Sequence, residues 1–421
     1  MKKLTFMAIA GILFSLLISN SILAEEAGIT VGKGTLKIGG ILQAGFAYNL
    51  EDEAGIDAFT LNRARFLFFG AIVPEKVKYF VQTETVGSPS ILDYKAQFFY
   101  IPKTEIAVGR FLPNLTLYMP YHTGKLEMIN YPLFVIYRDP TTKKFLYSPW
   151  RQVGIQTTTQ TDYVDFNVGI FNGADEPNNT TDNNDVKDFL LRADFKPPLD
   201  KAQIRVGGYA WIGSALPAFS KSWTEKIVVN VDTIAETADT IFQSRTFSTS
   251  FPEETLERNR FGGFATLDYK ATEDITLKFR GEFLMASTEN LFYAHIDSVA
   301  STDAQAFFAH VAVQPSPRVE FLARYDFHDP NTDMSYEEAK YETGSGKGAF
   351  ANGICNDDEE AWLTAGVNYY LEGINAMFYL NYIHKMEPGY KNVCDEETCE
   401  WVKEKREVDN DVVQAQVQIT F

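Results

Sequence analysis

The chain has 421 residues and an acidic composition, with 38 Lys and Arg against 56 Asp and Glu and a formal net charge of −18 at pH 7. This excess of negative charge argues against nucleic acid as a partner, because proteins that bind nucleic acid carry basic patches. Beyond the first residues, no apolar run approaches the roughly 20 residues that a membrane-spanning helix needs.

The first 24 residues have the composition of an export signal. Lys2 and Lys3 precede an apolar run that ends at Ile18, and small and polar residues then lead to Ala24. This pattern predicts a secretory signal peptide that is cleaved after Ala24. An uncleaved helical anchor is the alternative, although the run is short for a span of about 20 residues. Residues 25–34 are then expected to form a short periplasmic segment.

The rest of the chain alternates between apolar and polar residues with a period of two, over segments of about ten residues. In the first segment, Ile38 and Leu42 fall on one face of a strand, opposite Lys37 and Gln43. Tilted strands of about ten residues cross a bilayer, whereas the strands of soluble sandwiches are shorter, at about 5–6 residues. The pattern therefore predicts strands that span a membrane.

The connections between these segments also alternate, between short links and long loops. Short links are predicted at residues 73–76, 102–103, 161–162, 197–200, 272–274, 314–316 and 372–374, and long ones at 49–57, 113–147, 173–185, 213–257, 329–358 and 387–411. Short turns at one rim and long loops at the other are typical of outer-membrane barrels. The predicted fold is all-β: one transmembrane antiparallel β-barrel over residues 35–421, with about 16 strands, short periplasmic turns and long extracellular loops.

The long connection at residues 113–147 differs from the other five, because it is rich in Leu, Ile, Met, Tyr and Phe and has a small positive balance. A loop this apolar would not stay in water. We expect it to fold into the barrel as a constriction loop, bringing Lys125, Lys143 and Lys144 toward the pathway. The alternative is packing over the rim or against a neighbouring subunit.

Charge is divided between the rim and the barrel wall. The other five long loops hold more acidic surplus than the whole chain, so the acidity belongs to the outer rim. Basic residues lead modestly among the charged positions of the predicted inner face, which include Lys95 and Arg151; Arg63 and Arg65 lie on a strand whose phase is ambiguous. Rings of Arg and Lys favour anions. The alternative is a solvated wall whose charges pair with one another.

The last strand, Val412 to Phe421, has an apolar face that ends in the terminal Phe421 and a polar, uncharged face that contains Gln414, Gln416 and Gln418. Such a strand is expected to close the barrel against the first one, with its apolar face toward outer-membrane lipid. Phe421 is the expected contact with the barrel-assembly machinery.

The three cysteines lie in loops. Cys394 and Cys399 are separated by four residues in a polar loop of an exported chain, which predicts a local disulfide. Cys355 could instead pair with either of them, and a zinc site that includes His384 is a further alternative. No metal site, cofactor or catalytic residue is predicted. A barrel enzyme would need a Ser–His pair on a strand, and the sequence shows no convincing pair of this kind.

Three segments resemble the phosphate-selective porin O/P family. They are F-T-L-N-R-A-R-F-L-F-F-G at 59–70, Y-K-A-Q-F-F-Y-I-P-K-T-E-I-A-V-G-R-F-L-P at 94–113 and V-G-I-F-N-G-A-D at 168–175. Together with Phe421, the resemblance spans most of the barrel. It implies a sixteen-stranded trimeric porin with its third long loop inside the barrel. It also implies an anion pathway that includes Arg63, Arg65 and Arg110.

The sequence thus predicts a porin in the outer membrane of a Gram-negative-type bacterium. It would form a water-filled channel for passive diffusion of small hydrophilic solutes and ions, with a preference for anions or phosphate, and assemble as a homotrimer. A non-selective or cation-preferring porin is one alternative, and a non-conducting structural or adhesive barrel is another.

Overall fold

The computed structural model describes residues 29–31, 34–50, 57–137, 150–173, 186–215, 220–231, 240–250, 256–289, 301–329, 332, 359–386, 388–394, 401–407 and 410–421. The predicted signal peptide, Lys143, Lys144, Cys355 and Cys399 lie outside the described residues.

The described chain is built almost wholly of β-strands. They are β1 (Ile29–Val31), β2 (Gly34–Asn49), β3 (Ala58–Val73), β4 (Val77–Glu84), β5 (Ser90–Ile101), β6 (Thr104–Phe111), β7 (Gln152–Gln160), β8 (Val164–Phe171), β9 (Asp188–Phe195), β10 (Ala202–Ala215), β11 (Ser220–Val231), β12 (Thr240–Ser250), β13 (Leu256–Lys270), β14 (Thr276–Glu289), β15 (Ser301–Ser316), β16 (Val319–Asp329), β17 (Glu360–Tyr370), β18 (Ala376–Met386), β19 (Pro388–Cys394), β20 (Trp401–Glu407) and β21 (Val412–Thr420). A 3₁₀ turn at Thr123–Lys125 and the short helix α1 (Leu133–Ile136) lie between β6 and β7. No helix in the described part of the chain is long and apolar enough to cross a membrane.

Sixteen of these strands form a closed antiparallel barrel, which confirms the predicted fold class. β21 pairs with β18 on one side and with β2 on the other, so the sheet has no free edge. The backbone N–H of Gly40 donates to the carbonyl of Phe421 at 2.8 Å, and Phe421 donates back at 3.1 Å. A Cβ at Gly40 would clash with the Phe421 ring, so the glycine makes room for the terminal aromatic residue.

The two rims of the barrel differ as predicted. Connections of two to six residues join the strands at the short-turn rim, at 74–76, 102–103, 161–163, 196–201, 271–275, 317–318 and 371–375. The opposite, long-loop rim has eight connections, two of which also contain a hairpin (β11–β12 and β19–β20). The six predicted long connections omit the two at 85–89 and 290–300.

Strand alternation separates an apolar outer face from a more polar interior. In β16, Phe321 is 53% exposed on the outside, whereas its neighbour Glu320 is fully buried inside. β8 and β9 show the same strict alternation of buried and exposed positions. This is the pattern that a barrel with a lipid-facing surface requires.

The turn between β3 and β4 contains a strained residue. Glu75 is exposed and has φ of +61°, in the left-handed region where a Cβ is unfavourable. Asparagine tolerates this region better than glutamate, so we expect Glu75→Asn to stabilise the barrel by about 0.5 kcal/mol. Reversible unfolding in detergent would measure the change. Glu273→Asn makes the same charge change on the same rim without a positive φ, and an equal gain there would contradict this explanation.

Candidate functional site

The described part of the connection between β6 and β7 lies inside the barrel. We call residues 112–137 the inserted segment. Its first part is held by two wall residues: Arg192 donates to the carbonyls of Leu115 and Thr116 at 3.3 and 2.6 Å, and Glu282 accepts from the backbone N–H of Leu117 at 2.9 Å. β9 and β14 carry these two side chains, so the segment is attached to strands of the barrel beyond its own pair, β6 and β7.

The second part of the inserted segment is held by β16. Arg324 donates to the carbonyls of Asn130 and Tyr131, both at 3.0 Å, while Asp326 accepts from the backbone N–H of Leu133 at 3.1 Å. Arg324 Nε also pairs with Asp326 Oδ2 at 2.7 Å, and both side chains are buried. A buried ion pair with additional hydrogen bonds fixes geometry, which here is the position of the segment.

The middle of the segment contacts the closing strands. Gln418 donates to the carbonyl of Gly124 at 2.8 Å, and the Tyr379 hydroxyl donates to the carbonyl of Leu126 at 3.0 Å. Gln418 belongs to the polar face of the last strand, which the sequence assigns to the barrel interior. That face therefore positions the segment and contributes no charge.

Apolar packing fills the half of the barrel interior next to β8–β15. The apolar side chains of the inserted segment that are buried to 1% exposure or less are Leu115, Leu117, Met119, Phe134 and Val135. They pack with inward-facing wall residues that include Phe171, Tyr209, Trp211, Phe264, Leu284 and Phe308. Burying each large apolar side chain contributes roughly 1.5–3 kcal/mol. The segment is therefore a packed part of the interior, and open space remains beside β3–β7.

Two adjacent cavities of about 230 Å³ each, which share lining residues, occupy that space. The upper chamber, nearer the long-loop rim, is lined by Arg63, Arg65, Leu112, Thr123, Tyr131, Ile136, Trp150 and Arg151. The lower chamber shares several of these residues and adds others, chiefly Phe80, Gln82, Asp93, Lys95, Gln97, Phe111 and Tyr121. Four of the eight predicted pathway residues, Arg63, Arg65, Arg151 and Lys95, thus line these two adjacent chambers.

A β-bulge explains the ambiguous phase of β3. The register between β2 and β3 shifts beside Gln43, where Asn62 is the extra residue. Asn62 donates to Gln416 at 2.7 Å and Arg63 donates to Gln43 at 2.6 Å, so two successive side chains both point inward. Arg65 is also directed inward, although Phe66 and Phe68 continue the outer face. Phe59 and Leu61 face outward, so the bulge changes the phase of the strand and turns the next odd positions, Arg63 and Arg65, inward.

The arginines of the upper chamber differ in their partners. Arg65 pairs with Glu84 at 2.8 Å, and Arg151 pairs with Asp93 at 3.1 Å. Arg63 has no carboxylate within ion-pair distance among the described residues; its contacts are Gln43 and the Tyr131 ring. No carboxylate from the described part of the chain lines the upper chamber, so Arg63 is, among the described residues, its positive charge without a carboxylate partner.

Lys95 and Lys125 have different surroundings. Lys95 lies in the lower chamber between two aromatic rings, with Nζ 5.9 Å from the Phe80 centroid and 5.5 Å from the Phe111 centroid. Lys125 lies on the inserted segment and is exposed, whereas both its neighbours are buried. Burial, and next the Arg65 and Lys125 charges, lower the pKa of His122 to about 4. This ring is neutral at pH 7, so the local positive charge comes from arginine and lysine.

Arg110, which the family resemblance places in the pathway, lies elsewhere. It is buried and donates to the carbonyls of Ile91 and Leu92 at 2.9 and 2.8 Å. It is paired in register with Tyr94, whose side chain is partly exposed on the outer face. Arg110 lines neither chamber, and its contacts make it a brace between β5 and β6.

A third cavity, of about 210 Å³, continues from the lower chamber past Asn114 and Tyr121. Its charges are compensated: Arg205 pairs with Asp165 at 2.9 Å and with Asp194 at 3.2 Å. This region therefore provides hydration without a strong bias toward either sign of ion. The charge asymmetry of the interior is concentrated in the upper chamber.

Several functional candidates could not be chosen from the sequence. The aromatic chamber residues Phe80, Phe111, Tyr131 and Trp150 read as strand or loop hydrophobes. Phe80 and Phe111 do occupy inward positions, where the alternation calls for polar residues, and this break is the one signal that could have identified them. Cys394 is the last residue of β19, and its predicted partner Cys399 lies outside the described residues, so the disulfide stays a prediction.

The chain matches no protein-family model and no curated protein. Its fold is similar to those of solved outer-membrane proteins. The anion-selective porin from Comamonas acidovorans has a TM-score of 0.54 at 10% identity and aligns over 92% of this chain and 100% of that chain. OprB of Pseudomonas putida has a TM-score of 0.54 at 11% identity, over 92% and 94%. OmpT of Vibrio cholerae, in a trimer form, has a TM-score of 0.51 at 12% identity, over 92% and 99%. Such likeness concerns the fold, and membership of the phosphate-selective porin O/P family stays a prediction.

Proposed function

We propose that this protein is a porin, which forms a water-filled channel for passive diffusion of small hydrophilic solutes and ions and favours anions beside its inserted segment. The observation that carries the proposal is the upper chamber, where Arg63, Arg65 and Arg151 face one space between the inserted segment and the wall. A barrel whose interior were packed all around would leave no such space.

The anion preference follows from the balance of charge in that space. Arg65 and Arg151 are each paired with one carboxylate, while Arg63 adds a positive charge with no carboxylate partner in the described chain. Within low-dielectric walls one uncompensated charge acts strongly on an ion a few ångströms away. Arginine and lysine rings select anions in pores on this principle. Phosphate specificity would need a denser array of cations than these residues provide.

The location and assembly are part of the same proposal. The apolar outer face suits outer-membrane lipid, and export to the outer membrane of a Gram-negative-type bacterium fits the predicted signal peptide. A homotrimer is proposed by analogy with the trimer form of Vibrio cholerae OmpT. The terminal Phe421, paired with Gly40 at the closing seam, is the proposed contact with the barrel-assembly machinery.

Planar-bilayer recording tests this function. In a KCl gradient of about tenfold, the purified protein should give stepwise conductance. Its reversal potential should be shifted from zero toward the equilibrium potential of chloride. The preference should grow with salt, because the acidic rim is screened beyond a Debye length of about 8–10 Å near physiological salt. A reversal potential shifted toward the equilibrium potential of potassium would establish the cation-preferring alternative. A protein that inserts without conducting would establish the structural barrel.

A further inference from the structure

The upper chamber combines cationic and apolar surfaces. In addition to its three arginines, the lining includes Leu112, Tyr131, Ile136 and Trp150. Among the lining residues of this chamber, hydroxyl groups come from Thr123 and Tyr131. A passage for small hydrated ions has no need of apolar walls, since these give a hydrated ion no hydrogen bonds. The apolar part of the lining therefore requires a second explanation.

The aromatic rings are arranged as a corner next to the guanidinium groups. The Tyr131 and Trp150 rings lie 5.8 Å apart at an interplanar angle of 80°. The Arg63 guanidinium carbon lies 5.9 Å from the Tyr131 centroid, and that of Arg151 lies 5.8 Å from the Trp150 centroid. A flat apolar body in this corner would meet ring faces or edges while its charged end reached the arginines.

The lower chamber repeats the combination. Lys95 sits between Phe80 and Phe111 and lies 3.9 Å from Glu105 Oε1, and Tyr121 of the inserted segment lines the same chamber. A ligand that leaves the upper chamber therefore meets a second cation flanked by rings before it reaches the charge-compensated third cavity. Permeation requires more than one site of moderate strength along the pathway, and the lower chamber, whose cation has a carboxylate nearby, would be the weaker of the two.

We propose that the chambers select monoanions with a planar apolar body, that is, aryl carboxylates, over small hydrophilic anions of equal charge. This inference rests on the proposed channel function and specifies its solute class. The carboxylate accepts hydrogen bonds from Arg63, whose guanidinium lacks a carboxylate partner in the described chain. The ring packs in the corner formed by Tyr131 and Trp150, which an aliphatic or inorganic anion leaves unfilled.

Block of the KCl current by sodium benzoate, sodium acetate and sodium phosphate tests the proposal in the full-length protein. Benzoate is expected to reduce single-channel conductance at a concentration about tenfold lower than acetate, because apolar burial and ring contacts add to the same charge interaction. Equal block by benzoate and acetate, or tighter block by phosphate than by benzoate, would overturn the proposal. A protein without conductance would overturn the channel function as well.

Two variants assign the effect to the chamber. Trp150→Leu should raise the half-blocking benzoate concentration about fivefold and leave that of acetate unchanged. Arg63→Gln should weaken block by both anions. Tyr163→Leu removes an exposed aromatic residue at the short-turn rim and serves as the control, with both anions unaffected. The proposal fails if Trp150→Leu changes block by acetate and by benzoate equally, or if it changes block by neither anion, because the ring then has no part in selection.

Discussion

Replacing Arg63 by glutamate is expected to convert the channel from anion-preferring to cation-preferring. The substitution changes the local charge by two at the one upper-chamber arginine without a carboxylate partner in the described chain. Coulomb energies of several kcal/mol at 4 Å in an effective dielectric near 20 make such a change large. We expect the chloride-to-potassium permeability ratio to fall by about tenfold or more, which corresponds to about 1.4 kcal/mol.

The reversal potential in a KCl gradient measures this shift, and two further variants define its origin. Arg63→Gln should lie between the wild type and Arg63→Glu. Lys103→Glu makes the same change of two charges on an exposed side chain at the short-turn rim, where water and salt screen it. The proposal locates selectivity wrongly if Lys103→Glu shifts the reversal potential as far as Arg63→Glu does.

The barrel could be predicted from the sequence because its determinants are local. Alternation with a period of two, short turns and long loops repeat along the chain, and each strand pairs mostly with its sequence neighbour. The exceptions are β10–β13 and β18–β21, which pair across a hairpin, and the closure between β2 and β21, which the apolar and polar faces of the last strand indicated. Arg63 and Arg65 were harder to place, because the bulge at Asn62 depends on the pairing register of two strands.

The packed half of the interior could not be predicted in the same way. Tyr209, Trp211 and Phe264 face inward, where a rule of polar residues inside and apolar residues outside excludes them. Their burial depends on the inserted segment, which is distant in sequence and brings its own Leu and Phe side chains to them. A rule that considers each strand by itself cannot predict a contact between the wall and a segment distant in sequence. The apolar character of residues 113–147 indicated that this connection lies inside the barrel, but it did not indicate which wall residues the connection contacts.

The position assigned to Arg110 shows a limit of motif resemblance. The V-G-R-F-L-P motif contains the end of β6 and the first two residues of the inserted segment, in keeping with the resemblance. The arginine itself donates to two carbonyls of β5 and lines neither chamber. A motif can thus locate a strand end correctly while its arginine side chain donates hydrogen bonds to backbone carbonyls. Arg151, which the resemblance did not indicate, occupies the chamber next to Arg65.

Replacing Arg324 by leucine is expected to release the inserted segment. The substitution removes the donor to the carbonyls of Asn130 and Tyr131 and leaves the buried Asp326 carboxylate, 1% exposed, without its counter-charge. Breaking a buried ion pair from one side costs about 3–5 kcal/mol. Because the segment covers the unpaired Asp326 carboxylate, and water would hydrate it if the segment moved away, this cost should favour states in which the segment leaves the wall. We expect a larger and noisier single-channel conductance.

A double variant separates the position of the segment from the stability of the barrel. In Arg324→Leu/Asp326→Leu no unpaired charge remains, and removing both partners of a buried pair is often neutral in stability. The unfolding temperature in detergent should therefore recover toward that of the wild type. The conductance should stay high, because both variants lack the donor to the segment carbonyls, and the double variant also lacks the acceptor for the Leu133 N–H. Arg318→Leu, at an exposed position of the short-turn rim, is the control. If the double variant recovers the wild-type conductance along with its stability, the ion pair stabilises the wall and the segment is held by its apolar packing alone.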